Sequence, residues 1–485
     1  MRLLLLLTLL FATTCTQISA DNIARIKGKS EYATLQDAVA AAKDGDTITM
    51  ITDCEVTGST IQISNKTITL DLNGKKITAH IDDSFGCLFQ INADRLGGLI
   101  ITDTDEKQIG EITCINQPTK NLKLIINSGL LTINSGRLFS PQSYTKGCCI
   151  ISVESADAIL TINGGTIVST YGLEANPGII NNYGTTTING GIIENTYESG
   201  IPARGINNSG TLNLLGGKVI SKENAVWTNK NGSLILGNGA NITGGIEKSG
   251  GVTPIEEFIL TDNADFNLSK PYTASKVSYN RGKGNAFGTI CLPFVPEQQE
   301  KITYYKMRDS DGSSLTLERV SEIEANTPYV YYAEDGEYNV NSATTTTLEA
   351  NASALTTQND EGWLLKGVYR KSTVFVDEEM GYDDSDASHI LEPDSYYIKD
   401  GGFSRGNGYF SIKPFRAYFT APNESGSNRY EISIYDELTA VRSLGEGSAG
   451  ILSICNMEGK KLSSLQKGIN IVKFSTGKSG KIIVK

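Results

Sequence analysis

Only two histidines, His80 and His389, occur in the 485-residue chain, so metal or acid–base chemistry built on paired imidazoles is nearly excluded. Carboxylates are plentiful but dispersed. Glu154, Asp157, Glu174, Glu194, Glu198 and Glu223 fall in turns and loops. There, solvated charges are expected rather than the paired acids of a hydrolase or the calcium cluster and base of a lyase. Denser acidic points are Asp82-Asp83, Asp103-Thr104-Asp105-Glu106, Asp309-Ser310-Asp311-Gly312 and the run Asp377 to Asp386. None displays the six or more oxygens calcium requires, so each reads as a turn or solvated loop, with calcium at the second and fourth left as the alternative. Trp227 and Trp363, with Tyr331, Tyr332, Tyr396 and Tyr397, could stack on sugar rings if exposed in a row; otherwise they are packing residues. No catalytic residue, metal ligand or cofactor is assigned, and the ligand-binding residues are unknown at this stage.

Composition narrows the partners. With 43 Lys+Arg against 54 Asp+Glu the net charge is −11, and no basic run exceeds pairs such as Lys75-Lys76 and Lys460-Lys461, which argues against a nucleic-acid binder. Arg2, the apolar run Leu3 to Phe11 and the small-residue end Ile18-Ser19-Ala20 read as a signal peptide cleaved before Asp21. Cys15 leaves a lipidated alternative. No later stretch is long enough to span a bilayer. The eight cysteines include no C-x-x-C pair. Cys54, Cys87, Cys114, Cys148 and Cys149 sit in apolar strand-like runs and read as buried, inert thiols, with one or two bridges left open in an oxidising compartment.

The elements that would position these groups repeat. From Ala158 the chain reads A-I-L-T-I-N-G-G-T-I-V, from Gly184 G-T-T-T-I-N-G-G-I-I-E and from Gly210 G-T-L-N-L-L-G-G-K-V-I, each copy 26 residues after the last. Weaker copies begin at Gly129 and Gly232, at offsets of 29 and 22. Two columns spaced by two residues follow: Leu131, Leu160, Thr186, Leu212, Leu234 and Ile133, Ile162, Ile188, Leu214, Leu236. A third, after the glycine turn, holds Leu138, Ile167, Ile193, Val219 and Ile242. Alternation across a strand puts the first two columns on one face. A single coil cannot bury that face, whereas stacked coils can, with a rise of about 4.8 Å. The expected architecture is therefore a right-handed parallel β-helix, with Asn134, Asn163 and Asn189 at equivalent corners, bonded to one another. The rival reading takes Asn-Gly-Gly as hairpin turns of a sandwich.

Strand-like segments at Thr47 to Ile51, Thr67 to Leu72, Leu99 to Thr102 and Lys123 to Ile126 continue the plan toward the N-terminus. Thr34 to Lys43 carries Leu35, Ala38, Val39 and Ala42 at helical spacing and would cover the open end of the coil. With its opening phrase Y-A-T-L-Q-D-A-V-A-A-A-K-D-G-D-T-I, the region from about residue 30 to 250 resembles the pectate-lyase-like β-helix superfamily. The resemblance implies architecture and carries no catalytic motif.

Composition changes near residue 260. Sixteen of the 21 tyrosines follow residue 265, and short aromatic, β-branched segments from Gly288 to Tyr435 predict an antiparallel β-sandwich. The Thr- and Ala-rich stretch Ala343 to Thr357 reads as a loop. The phrases Gly288-Thr289-Ile290-Cys291-Leu292-Pro293-Phe294 and Ile323-Glu324-Ala325-Asn326-Thr327-Pro328-Tyr329 resemble β-rich modules of secreted Bacteroidetes proteins. Cys455 to Leu462, Lys467 to Lys473 and Lys481 to Lys485 resemble the C-terminal sorting domain of the same group. The expected organisation is a signal peptide (1–20), a β-helix with its capping helix (21–262), a β-sandwich region (263–436) and a small sorting-like β unit (437–485). The expected function is a non-catalytic secreted or cell-surface protein of adhesin or glycan-binding type, whose partner is an extracellular glycan or other surface ligand. A polysaccharide lyase or glycoside hydrolase working in a β-helix groove, or a structural spacer, are the alternatives.

Overall fold

In the computed structural model the described residues are 22–81, 86–92, 97–116, 123–141, 149–170, 178–196, 204–250, 255–374, 395–406, 410–422, 427–435, 451–456, 459–462, 468–474 and 479–484. The expected signal peptide with Cys15, the acidic points Asp82-Asp83 and Asp377 to Asp386, Cys148, Glu174, Glu198 and His389 lie outside them, as does the side chain of Glu223. The chain is nearly all β, with one helix among the described residues. It divides into two compact units, Met1–Leu234 with Ala240–Val252 and Ile235–Gly239 with Thr253–Lys485. No described helix is long and apolar enough to cross a membrane.

The first unit is a coil of parallel ladders, three strands to a turn. One ladder stacks Thr67–Asp71, Gly98–Thr102, Leu130–Ile133, Ile159–Ile162, Thr185–Ile188 and the start of Thr211–Thr228. Its register runs Leu99, Leu131, Leu160, Thr186, Leu212 in one file and Ile101, Ile133, Ile162, Ile188, Leu214 in the next. These are the two sequence columns from Leu131 to Leu212 and from Ile133 to Leu214, preceded by Leu99 and Ile101; each of these residues is nearly fully buried, as are Leu234 and Leu236. The second ladder carries the third column, Leu138, Ile167, Ile193 and Val219, and extends it back through Ile112, Ile77 and Cys54. The third ladder, Ile61, Phe89, Ile125, Ile151, Ile180, Ile206 and Val226, is one the repeat pattern did not expose. Identical aliphatic files on all three sides give the coil a continuous dry interior, worth about 1.5–3 kcal/mol for each side chain fully withdrawn from water.

The uneven repeat offsets now have a cause. In the four coils of the repeat, seven residues separate the first ladder from the second: Leu131 to Leu138, Leu160 to Ile167, Thr186 to Ile193, Leu212 to Val219. The third ladder follows 13 residues later in the first three of these, but only seven later in the last, Val219 to Val226, which shortens that coil and lets Thr211–Thr228 run as one strand. The 29-residue offset arises at the remaining corner, between Ile151 and Leu160.

Asn-Gly-Gly marks the corner between the first two ladders. Gly191 has φ +84°, which an L side chain resists, and a Cβ on Gly190 would lie 2.4 Å from the Asn163 carbonyl of the coil beneath. Glycine is needed here because backbone stacks on backbone. Beside it, Asn163 donates to Asn134 Oδ1 and Asn189 donates to Asn163 Oδ1, both at 2.9 Å, forming the expected corner ladder. The first coil is closed by Ala24–Ile26, which pairs antiparallel with Thr47–Met50. The helix Leu35–Ala41 lies against Ala24–Ile26 and Ile61–Ile63. Thr34 caps it by accepting from Asp37 N, and Lys66 Nζ donates to the Ala42 carbonyl at 2.8 Å.

In the second unit, Ile255–Leu260 pairs parallel with residues 235–237 and with Tyr272–Lys283. That strand then accepts Glu337–Asn341 and Thr346–Leu348 antiparallel. Thr346–Leu348 and Thr356–Gln358 thus correct the loop expected over Ala343 to Thr357: Leu348 is fully buried and needs a strand to present it, and one apolar side chain gave the sequence too little periodicity to show it. A ten-stranded sheet, antiparallel except where Ser314–Val320 meets Arg429–Tyr435, builds the rest. It curls: Thr289 Oγ1 donates to the Ala417 carbonyl at 2.6 Å and Ala417 N donates back at 2.9 Å, linking strands far apart in the sheet order. Ile451–Asn456, Lys461–Leu462, Gly468–Phe474 and Ser479–Val484 form a separate four-stranded antiparallel sheet.

Candidate functional site

The outer side of the first ladder presents the most regular surface of the coil. Thr132, Thr161, Thr187 and Asn213 stand in one outward file, half-buried, and Asn213 donates to Thr187 Oγ1 at 3.2 Å. The neighbouring file runs Leu130, Ile159, Thr185, Thr211. Leu130 and Ile159 are each 43% exposed, so two aliphatic steps lie beside a row of hydroxyls. Exposed Asn134, Asn163 and Asn189 edge this face along the corner. Each group recurs at the strand spacing, about 4.8 Å. Chemically the face offers hydroxyl and amide hydrogen bonds flanked by apolar patches.

The second ladder's outer side is charged and self-paired. Glu111 accepts from Lys76 Nζ at 3.0 Å and is ion-paired to Arg137, whose guanidinium lies 3.8 Å from the Phe139 ring centroid. His80 Nε2 is 3.2 Å from Glu55 on the same ladder, and on the third ladder Glu154 is ion-paired to Lys123. Glu194 stacks between Val168 and Ile220, away from other acids.

The acidic points that lie among the described residues are turn acceptors. Asp103 takes Gly74 N at 2.7 Å and Gly110 N at 2.6 Å, while Asp71 takes Thr104 N at 3.0 Å and its hydroxyl at 2.8 Å. Lone pairs occupied by N–H donors are not free for a cation. Asp311 closes a hairpin by accepting from Ser313 N and Ser314 N at 2.9 and 2.6 Å; those bonds hold its carboxyl well below the usual range. Among the described residues, no group of three or more His, Cys, Asp or Glu is placed to hold a metal ion.

The aromatics divide differently from a sugar-stacking row. Trp363 and Tyr396 belong to the core of the second unit with Tyr430, their ring centroids 5.0–5.7 Å apart, and Tyr331 is buried 4.4 Å from Tyr338. Trp227, half-buried, lies beneath the Arg204 guanidinium at 4.3 Å. Tyr332 and Tyr397 keep partial exposure. Cys54, Cys87 and Cys291 are buried free thiols, and Cys114 and Cys149 are buried. Burial pushes Cys54 up to about 11 and Cys291 up to about 12, far from reactive thiolate.

A set of residues the sequence reading passed over supports the face from inside. Asn127, Asn182 and Asn208 are fully buried at the ends of third-ladder strands. Asn182 donates to Asn208 Oδ1 at 2.8 Å and to the Thr211 carbonyl at 2.9 Å, and it accepts from the Thr186 hydroxyl at 2.9 Å. This explains Thr186 in an otherwise aliphatic file. The signal was present as Asn-x-Gly, two residues before Gly129, Gly184 and Gly210.

No family model, curated protein or solved structure matches the chain.

Proposed function

We propose that the chain is a secreted or cell-surface, non-catalytic protein of adhesin or glycan-binding type. In this reading the coil is a right-handed parallel β-helix, the curled sheet a β-sandwich module and the last fifty residues a sorting-like unit. The observation that carries it is the outward register of Thr132, Thr161, Thr187 and Asn213 beside Leu130 and Ile159. A hydroxyl row with aliphatic steps matches the alternating polar and C–H faces of a sugar chain. Equal groups repeated at each turn let weak contacts add along an extended polymer. Carboxylates of the coil such as Glu111, Glu154 and Asp103, held by Lys, Arg or backbone N–H, support a binding rather than a hydrolytic role.

The test is a glycan array run beside a reducing-sugar release assay on the purified protein. Retention of one glycan class without release is the expected result, and Thr161→Ala with Thr187→Ala weakens it. Release above background overturns the non-catalytic reading, and no retention of any glycan overturns the binding reading.

A further inference from the structure

A second surface, inside the second unit, carries chemistry that the coil face lacks. An open cleft of about 330 Å³, at the lower end of small-ligand sites, is lined by Arg281, Lys413 and Arg416 together with Phe287, Tyr331 and Tyr397. No Asp or Glu is among its described lining residues. In a chain of net charge −11, three cations around one cavity with no acid among its described lining residues are a concentrated positive field.

The three cations are held differently. Arg281 Nη1 donates to the Thr289 carbonyl at 3.0 Å, and its guanidinium stands 5.3 Å from the Tyr331 ring centroid, which fixes its plane against the cleft wall. Lys413 is exposed at the rim. Arg416 lies deeper, 13% exposed and ion-paired through Nη2 to Asp262, which also accepts from the Tyr279 hydroxyl at 2.5 Å. Its Nη1 is enclosed without any hydrogen-bond acceptor. With its charge paired to Asp262 but Nη1 without an acceptor, the guanidinium leaves an unsatisfied buried N–H donor beneath the cleft floor. A bound anion would accept from it, while Arg281 and Lys413 reach its other oxygens. Phe287 and Tyr397, both half-buried, add apolar ring surface beside the cations.

We infer that this cleft binds a carboxylated sugar, the carboxylate set among Arg281, Lys413 and Arg416 and the ring against the aromatic wall. The inference rests on the glycan-binding reading for its ligand class but places the acidic sugar in a cleft of the second unit.

The test titrates the full chain calorimetrically with D-glucuronate, with D-glucose and sodium sulfate as controls. Saturable glucuronate binding at least roughly tenfold tighter than either control is expected, falling about tenfold in Lys413→Gln. Arg416→Gln abolishes it, while Arg416→Lys, which keeps a charge beside Asp262, retains it. Should Arg416→Gln fail to fold, the exposed Lys413 decides. Equal binding of glucose, sulfate binding as tight as glucuronate, or binding unchanged in Lys413→Gln overturns the assignment. Glycan retention on the array that is indifferent to these substitutions overturns the cleft and leaves the coil-face reading standing. Glucuronate binding with a blank array does the reverse.

Discussion

Leu160 and Ile159 are neighbours on one strand with similar side chains and opposite fates. Leu160 is 0% exposed, stacked between Leu131 and Thr186, whereas Ile159 is 43% exposed. Truncating a buried leucine costs the lost transfer energy plus that of the cavity it leaves, about 2–5 kcal/mol. The value here belongs near 3 kcal/mol, because the flanking files are pinned by backbone ladders and cannot collapse into the gap. Truncating Ile159 is expected to cost no more than about 0.5 kcal/mol, as for other surface changes. Hydrogen exchange read by mass spectrometry reports the difference locally. In Leu160→Ala, amides of Leu130–Ile133 and Thr185–Ile188 exchange about a hundredfold faster, the equivalent of about 3 kcal/mol. In Ile159→Ala they barely change. Equal effects of the two substitutions, or acceleration confined to residues 159–162, would refute the reasoning that coils bury their aliphatic files against one another.

Three further outcomes follow from the same geometry. Gly190→Ala places a Cβ 2.4 Å from the Asn163 carbonyl and is expected to destabilise the coil by roughly 2–3 kcal/mol in urea titration, while Gly86→Ala, with nothing within 4 Å, leaves the midpoint in place. Asn182→Ala removes three buried hydrogen bonds and costs roughly 2–4 kcal/mol, against about 1 kcal/mol or less for the outward Asn181→Ala; equal losses would count against the internal Asn ladder. Alkaline titration should unfold the second unit. Burial pushes Tyr272 and Tyr304 up to about 12 and Tyr279 and Tyr338 further above the ordinary 10. A folded-state pKa that is raised contributes stability fully present below pH 10 and lost as pH rises through 12. Tyrosinate absorbance and near-ultraviolet dichroism should therefore change together across that window; ionisation near pH 10 without loss of dichroism would contradict it.

Much of the coil was legible because its constraint is local. Leu131, Leu160 and Leu212 sit at fixed distances from a glycine corner that has no freedom to vary, so two ladders and the Asn134, Asn163, Asn189 corner could be read directly. The third ladder was not, since the connection leading to it shrinks from 13 residues to seven in the last coil and the corner after it grows between Ile151 and Leu160. A face whose spacing changes at both ends leaves no period. The Arg281, Lys413 and Arg416 cleft was invisible for a different reason: Lys413 and Arg416 flank one short turn, whereas Arg281, on Tyr272–Lys283, is far away in sequence and is brought to them through Thr289, whose carbonyl it holds and whose hydroxyl bonds to Ala417. Trp363 and Tyr396 show the limit of composition, since nothing in residue type tells a stacking platform from a core.

Register is what the account depends on most, and paired thiols read it directly. With Thr161→Cys and Thr187→Cys, partners facing each other across adjacent coils at about 4.8 Å, dibromobimane bridges the two thiols in the folded protein and the product fluoresces. With Thr161→Cys and Thr185→Cys, one pleat out of step at about 7–8 Å, bridging is expected to be slow. Equal bridging of both pairs, or preference for the second, would contradict the stacked register.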